Sequence, residues 1–197
     1  MSVTLVTGPV RSGKSRHAES LLRGHLEVTY VATGPSADDA FETDAVDTEW
    51  AHRVRLHQER RPPGWLTLET HEVEAAVREA TTPVLVDCLG TWLTAVVDEI
   101  GWDDLPAADR MLSTRVRTLT SALVAAQVPV VVVSNEVGWS LVPTTASGRF
   151  FQDQLGLLNA AVSAIAHHVH LVVAGRVLDL SGAALVPLGS RRGAPDA

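Results

Sequence analysis

Short runs of β-branched and other apolar residues recur along the chain, and polar residues rarely interrupt them. Strands of a sheet that faces water on one side alternate apolar and polar positions, whereas strands buried on both faces of a parallel sheet are apolar throughout. The runs therefore predict buried strands of a parallel sheet. They are Val3–Thr7, Val28–Ala32, Val84–Val86, Val128–Ser134 and Val169–Ala174.

Between these runs, apolar residues recur at the three- and four-residue spacing that gives a helix one buried face. The predicted helices are Ser15–Arg23, Asp47–Arg61, Glu72–Ala80, Leu112–Ala126 and Arg149–His167. Strands that alternate with helices predict an α/β fold in which right-handed crossovers join parallel strands.

The length of the chain, 197 residues, is close to that of one compact unit, so we predict a single domain over residues 1–189. The stretch Gly34–Thr48 is rich in Asp, Ala and Ser, which predicts a mobile loop. The two prolines in Arg61–Gly64 end the helix before them, because proline cannot continue a helix. Residues 190–197 have the composition of a flexible tail.

Charge and cysteine content narrow the class of protein. The formal net charge is −7, which argues against a general binder of nucleic acid or anionic membranes and favours a small-molecule partner. The single cysteine, Cys88, can form neither an intramolecular disulfide nor a multi-cysteine zinc site. Because we also find no signal-peptide pattern and no membrane-length apolar run, we expect a cytoplasmic protein.

Fifteen arginines and one lysine supply the positive charge, and that lysine, Lys14, lies in a GxxxxGK[ST] motif. The motif follows a predicted strand and precedes a predicted helix, as a phosphate-binding loop (P-loop) does. Backbone N–H groups of such a loop surround phosphate oxygens, the lysine neutralises the β- and γ-phosphates, and the Ser15 hydroxyl ligates Mg²⁺. The predicted nucleotide-binding residues here are Gly8, Pro9, Val10, Arg11, Ser12, Gly13, Lys14 and Ser15.

Asp87 ends an apolar strand and is our candidate for a second Mg²⁺ ligand of the Walker B type, although apolar strands that end in aspartate are common. Asp87–Gly90 also fits the DxxG pattern of signalling GTPases. Those GTPases read guanine through an NKxD motif, which a chain with no lysine beyond Lys14 cannot contain. A P-loop enzyme with a mostly parallel sheet is therefore favoured over a GTPase switch.

One of the eight histidines, His57, has distinctive neighbours. On the predicted helix, Arg53 and Arg61 lie four residues before and after it on one face, and Arg60 flanks them. Nearby guanidinium groups disfavour the imidazolium, so the ring stays neutral and able to attack a nucleotide α-phosphorus while the arginines hold phosphates. The alternative is an ordinary solvated basic helix face.

These motifs resemble the bifunctional adenosylcobinamide kinase/adenosylcobinamide-phosphate guanylyltransferase family of cobalamin biosynthesis, over Val3 to Leu180. The P-loop and its exit, Gly8–Glu19, are similar to the family's GGxRSGKSxxAE, and Tyr30–Thr33 to its YIAT. The most specific block is DxEMxxRIxxHxxxRPxxWxTxE. It is matched by Asp47, Glu49, Arg53, Val54, His57, Arg61, Pro62, Trp65, Thr67 and Glu69. Trp50 replaces the methionine of that block, and further along Gln152 and Ala160 replace the usual Arg and Gln.

The resemblance implies two activities: phosphorylation of the adenosylcobinamide hydroxyl, and transfer of GMP from GTP to adenosylcobinamide phosphate through a guanylylated histidine, here His57. GTP and ATP are the expected substrates, with Mg²⁺ as cofactor, and the resemblance implies a homotrimer. Lys14 is the second expected catalytic residue. The expected nucleotide contacts beyond the P-loop are Thr33, Gly34, Arg53, Arg60, Arg61, Glu69 and Asp87.

The residues alone are also compatible with two other classes of protein. A monofunctional P-loop small-molecule kinase would transfer γ-phosphate without guanylyl transfer. A non-enzymatic nucleotide-dependent binding protein would bind the triphosphate and turn over no corrinoid.

Overall fold

The computed structural model describes residues 1–34 and 48–186, apart from the side chains of residues 48–51 and 53. Seven strands form one sheet in the order β3-β2-β4-β5-β1-β6-β7. The strands are β1 (Val3–Thr7), β2 (Val28–Ala32), β3 (Trp65–Glu69), β4 (Val84–Asp87), β5 (Val130–Val133), β6 (His168–Val173) and β7 (Arg176–Asp179). The helices are α1 (Lys14–Leu21), α2 (Thr48–Glu59), α3 (Val73–Glu79), α4 (Leu89–Asp98), α5 (Leu105–Ala125) and α6 (Ala146–Ile165).

The sheet is parallel except for β7, which pairs antiparallel to β6. Strand β5 lies between β1 and β4, with Val133 in register with both Val6 and Asp87. Since parallel strands present their carboxyl ends at one edge, the segments that follow β1, β5 and β4 meet there. The predicted α/β fold with a mostly parallel, helix-flanked sheet is confirmed.

Alternate residues of each strand pack on opposite faces of the sheet. Leu5 belongs to a large core cluster with Leu112 and Leu155 of α5 and α6. Its neighbour Val6 belongs to a second cluster with Ala18 of α1 and Tyr30 of β2. All five residues of β1 are buried, and a buried side chain of Val or Leu size stabilises the fold by about 1.5–3 kcal/mol. The strand that carries the P-loop is therefore held from both sides.

The five predicted strands and five predicted helices are present; β1 and β2 have the predicted bounds, and the other ends are shifted by seven residues or fewer. The largest shift is in α5, which begins at Leu105 rather than Leu112, because Asp104 caps it by accepting from Ala107 N and proline stands in its first turn. Three further elements, β3, β7 and α4, are present and were not predicted. None of the helices within the described ranges has the length and apolar character needed to span a bilayer.

Candidate active site

The P-loop connects β1 to α1 by a backbone path that requires glycine at two positions. At Gly8 an added Cβ would lie 2.2 Å from Val172 O, so the loop runs against β6 at a distance that only glycine allows. Gly13, with φ of 99°, is left-handed and precedes the first residue of α1. The Lys14 Nζ donates to Pro9 O at 3.2 Å, across the mouth of the loop.

A cavity of about 820 Å³ opens beside this loop. Most of the predicted catalytic and nucleotide-binding residues line it. They are Arg11, Ser12, Gly13, Lys14, Ser15, Gly34, His57, Arg60, Arg61, Glu69 and Asp87. The buried hydroxyl of Ser12 has no hydrogen-bond partner within the described part of the chain. A buried hydroxyl of this kind is expected to bond to a ligand or to water.

Four predicted residues lie outside the cavity lining. Gly8, Pro9 and Val10 do not line it, and Val10 is 62% exposed. Thr33 is 1% exposed and bonds within the protein, because its hydroxyl donates to Cys88 O and accepts from Cys88 N. The side chain of Arg53 lies outside the described residues, as do most of the predicted mobile loop and the tail.

Asp87 and His57 are neighbours in the lining of the cavity. The His57 Nδ1 lies 3.7 Å from Asp87 Oδ2, and their side chains are 29% and 12% exposed. The same carboxylate oxygen accepts the Tyr30 hydroxyl at 2.7 Å. Burial raises the pKa of Tyr30 well above its ordinary value, so this hydroxyl remains a donor. A proton on His57 Nδ1, next to the carboxylate, leaves Nε2 with its lone pair.

Burial is the main cause that lowers the pKa of His57 below its ordinary value of 6.5. The Asp87 carboxylate raises that pKa and Arg60 lowers it, with smaller effects from Glu19 and Arg61. From the sequence, the neighbouring arginines alone were expected to keep the ring neutral. The structure gives the same direction with desolvation as the larger cause, because α2 turns this histidine toward the sheet.

Arg60 and Arg61 are bound to protein partners. Arg60 makes a two-point contact with the buried Glu19 of α1, at 3.0 Å and 3.4 Å. Arg61 stacks on the ring of Tyr30, with Cζ 3.5 Å from the ring centroid, and donates to Thr67 Oγ1 at 2.7 Å. Its Nε is buried and has no partner within the described residues. Both arginines line the cavity, and these contacts with Glu19, Tyr30 and Thr67 fix their positions there.

Among the residues of this region to which the sequence assigned no role, three make the contacts described here or line the cavity beside Asp87: Glu19, Tyr30 and Asn135. Tyr30 and Asn135 line the cavity, and Glu19 anchors Arg60. Glu19 and Tyr30 lie in motifs that resemble the family, but a glutamate on the P-loop helix and a tyrosine inside a strand do not by themselves indicate a role. Asn135 carried a local signal, because a polar residue that follows an all-valine strand is at the edge where the parallel strands end.

Ser15 and Asp87 both line the cavity and offer a hydroxyl and a carboxylate, which are the hard oxygen donors that Mg²⁺ prefers. Across the described ranges, no three histidine, cysteine or acidic side chains are grouped to hold a metal ion. Mg²⁺ is commonly held by one or two protein ligands together with water and phosphate oxygens, so the chemistry of Ser15 and Asp87 fits this ion.

Known proteins of one family are similar to this chain over most of its length. A family model described as cobinamide kinase / cobinamide phosphate guanyltransferase matches residues 4–180. The bifunctional adenosylcobalamin biosynthesis protein CobU of Escherichia coli is 34% identical over 181 residues, which cover 87% of this chain and 95% of that protein. The protein CobP of Pseudomonas aeruginosa, of the same description, is 33% identical over 90% of this chain and 96% of its own. Among solved structures, a RadB recombinase has a TM-score of 0.42 at 18% identity, covering 86% of this chain and 73% of its own.

Proposed function

The chain belongs to the cobinamide kinase/cobinamide phosphate guanyltransferase family, and from this premise we propose that its cavity carries out both reactions on adenosylcobinamide. The kinase reaction uses the P-loop, and the guanylyl transfer uses His57 as a covalent nucleophile. The observation that carries the proposal is that Lys14, Asp87 and His57 line one cavity. A triphosphate on the P-loop then extends toward the histidine.

In the kinase reaction, the adenosylcobinamide hydroxyl attacks the γ-phosphorus of ATP or GTP. The bond from that phosphorus to the β–γ bridging oxygen breaks, the nucleoside diphosphate leaves, and the hydroxyl proton is lost. Lys14 and the loop N–H groups hold the β- and γ-phosphates and stabilise the charge that develops on the transferring group. The hydroxyl of Ser12 is an additional donor for this purpose.

In the guanylyl transfer, His57 Nε2 attacks the α-phosphorus of GTP and pyrophosphate leaves. An oxygen of adenosylcobinamide phosphate then attacks the same phosphorus, the P–N bond breaks, and adenosylcobinamide-GDP is released with a neutral histidine. Asp87 Oδ2 faces Nδ1 and stabilises the positive charge of the ring while the P–N bond exists. Since burial lowers the pKa of His57, the ring is neutral and nucleophilic at pH 7.

Mg²⁺, held by Ser15 and Asp87, would neutralise phosphate charge in both reactions. Glu69 and Gly34 lie at the cavity wall and are further nucleotide contacts in this proposal, together with Arg53 and Arg61. The proposal extends to a homotrimer, supported by the resemblance of the sequence motifs and testable by sedimentation. It extends to a cytoplasmic enzyme, supported by the lone Cys88, and fractionation of cells tests this point.

The test of the covalent step is incubation with α-labelled GTP. We expect an acid-labile GMP adduct, which peptide mapping by mass spectrometry places on His57 and not on His52, whose side chain lines the same cavity. His57→Asn abolishes the adduct, and the control His25→Asn, at an exposed position away from the cavity, keeps it. Equal labelling of His57→Asn and the wild type would disprove the covalent role.

The alternative function is a monofunctional kinase on the same P-loop. Such an enzyme phosphorylates adenosylcobinamide and never carries a GMP adduct. The labelling experiment with wild-type protein therefore separates the two.

A further inference from the structure

Asn135 occupies the position between the two ends of the proposed phosphate site. Strand β5 lies between β1, which leads into the P-loop, and β4, which ends at Asp87. Asn135 is the second residue after β5 and lines the cavity together with Lys14 and Asp87. Its side chain therefore borders the space beside the P-loop that is available to a bound triphosphate.

The backbone around Asn135 is fixed on both sides. Ser134 N donates to Val6 O at 2.9 Å, and Glu136 N donates to Gly8 O at 3.0 Å, so the segment follows β1 into the P-loop. The side chain of Asn159, 8% exposed, donates to the Asn135 carbonyl at 3.0 Å. A donor held this rigidly needs little reorganisation when charge develops beside it.

A network of polar side chains stands behind this segment and makes its own hydrogen bonds. The Glu136 carboxylate accepts from Thr7 Oγ1 at 2.7 Å and from Asn159 Nδ2 at 3.1 Å. The Ser134 hydroxyl donates to Asn159 Oδ1. Because these groups satisfy one another, the network fixes Asn135 without using its side-chain amide.

The Asn135 amide itself has a weak partner. Its Nδ2 lies 3.9 Å from Cys88 Sγ, and burial raises the pKa of Cys88, so the sulfur is a neutral thiol and a poor acceptor. Gly90 gives the amide its space, because a Cβ at that position would lie 3.1 Å from Asn135 Nδ2. Among the described residues, therefore, the amide meets no acceptor of ordinary strength.

We propose that the Asn135 side-chain amide donates a hydrogen bond to a γ-phosphoryl oxygen during phosphoryl transfer, and that it distinguishes a bound triphosphate from a diphosphate. This inference rests on the proposed kinase reaction and adds no bond-making step to it. The amide is a catalytic group in that reaction, since it touches the transferring group. In guanylyl transfer the same oxygen belongs to the pyrophosphate that leaves.

The test compares Asn135→Ala and Asn135→Asp with wild type in kinase turnover and in calorimetric binding of ADP and a non-hydrolysable ATP analogue. We expect kcat to fall about 100-fold, the typical loss for one donor aimed at developing charge. The affinity for ADP stays within about threefold of wild type, while the preference for the triphosphate analogue is lost.

Gly90→Ala moves the amide without removing it. We expect an intermediate loss of kcat, about 10-fold, in a protein that folds normally because alanine favours a helix more than glycine does. The matched control is Gly156→Ala in α6, where an added Cβ meets nothing within 4 Å, and it should retain wild-type turnover.

Two results would overturn the inference: wild-type kcat in Asn135→Ala, or an equal loss of ADP and triphosphate affinity, which would mean a merely structural role. If the wild type itself shows no kinase turnover, the proposed function fails. The triphosphate preference then still decides the role of Asn135.

Discussion

The two reactive ends of the cavity are built in different ways. The phosphate arm, residues 3–21, is held in place by the sheet and the hydrophobic core. Every residue of β1 is buried, and Ala18 of α1 is 0% exposed and packs in the core cluster that contains Val6. The nucleophile arm, residues 52–61, has no fully buried side chain within its described part, and Leu56 is 42% exposed. It is held by Arg60 on Glu19 and by Arg61 on Tyr30.

This difference has a chemical reason. A triphosphate is bound by many N–H groups at once, and a folded loop presents these only if its backbone is rigid. The histidine nucleophile first bonds to the α-phosphorus and then transfers the GMP group to a second acceptor. This chemistry requires one ring nitrogen in the correct position, and a few side-chain contacts are enough to hold it there. Changes to the backbone should therefore damage both reactions, and changes to the side-chain contacts should damage the guanylyl transfer selectively.

The largest effect is expected from Gly8→Ala in the phosphate arm. The new Cβ would meet Val172 O at 2.2 Å, so the loop must move, and displacements near 1 Å cost about 100-fold in activity. We expect losses of this size in triphosphate affinity and in both reactions. The control is Gly24→Ala, where an added Cβ meets nothing within 4 Å. If Gly8→Ala lost guanylylation alone, the contrast between the two arms would be wrong.

A smaller and selective effect is expected from Glu19→Gln, which removes the charge that holds Arg60. We expect the rate of His57 labelling by GTP to fall about 10-fold while ADP affinity is kept, because the P-loop is untouched. The stability loss should be near 1 kcal/mol, since the Arg60 side chain is 33% exposed and solvent screens the pair.

The charge-matched control is Glu59→Gln, at an exposed position beside Arg60. Adding Arg60→Ala to Glu19→Gln should cause little further loss of labelling, since both changes break the same contact. Fully additive losses in this double-mutant cycle would show that Glu19 acts elsewhere.

The smallest effect concerns the pH dependence of stability. His17 of α1 lies 3.0 Å from His170 of β6 between ring nitrogens, and burial and His170 lower the pKa of His17 below 6.5. Between the lowered and the ordinary pKa the unfolded chain binds more protons than the folded one, so stability falls as the pH drops through about 6.5. Asp179, whose pKa is lowered from 3.8, titrates below this range.

We expect His17→Asn to reduce the fall in melting temperature between pH 7 and 5 by about 2 °C or less. Measured in the same way, His25→Asn, at an exposed position, should leave the fall unchanged. A steeper fall in His17→Asn than in wild type would contradict the assigned direction.

Two of the three elements that were not predicted, β3 and β7, are strands whose local sequence patterns do not show them. Strand β7 is exposed at every residue and is defined by its pairing with β6. Strand β3 has one buried residue, Trp65, as expected of an edge strand. Helix α4 differs from these strands, because its buried residues, Leu89, Trp92, Leu93 and Val96 among others, recur at helical spacing on one face. The sequence therefore does carry a local signal for this helix.

The phosphate arm could be predicted from the sequence, whereas the contacts that hold the nucleophile arm could not. The P-loop residues follow from a local motif, because a continuous segment makes that part of the site. The partners of His57 come from α1, β2 and β4, and no spacing in the sequence places Glu19 beside Arg60 or Tyr30 beside Asp87. The roles of residues such as Arg60 and Asn135 depend on contacts between residues far apart in the sequence, so only the three-dimensional structure shows them.

Helix α1 connects the two arms as a spacer of fixed length and phase. Its first residue, Lys14, belongs to the P-loop, and Glu19 lies five residues further on, a rise of about 7.5 Å along the axis. One residue inserted between them would turn Glu19 by about 100° about that axis and away from Arg60. Evolution or engineering can therefore vary the length of the surface loops around this site, whereas the six-residue interval from Lys14 to Glu19 cannot gain or lose a residue.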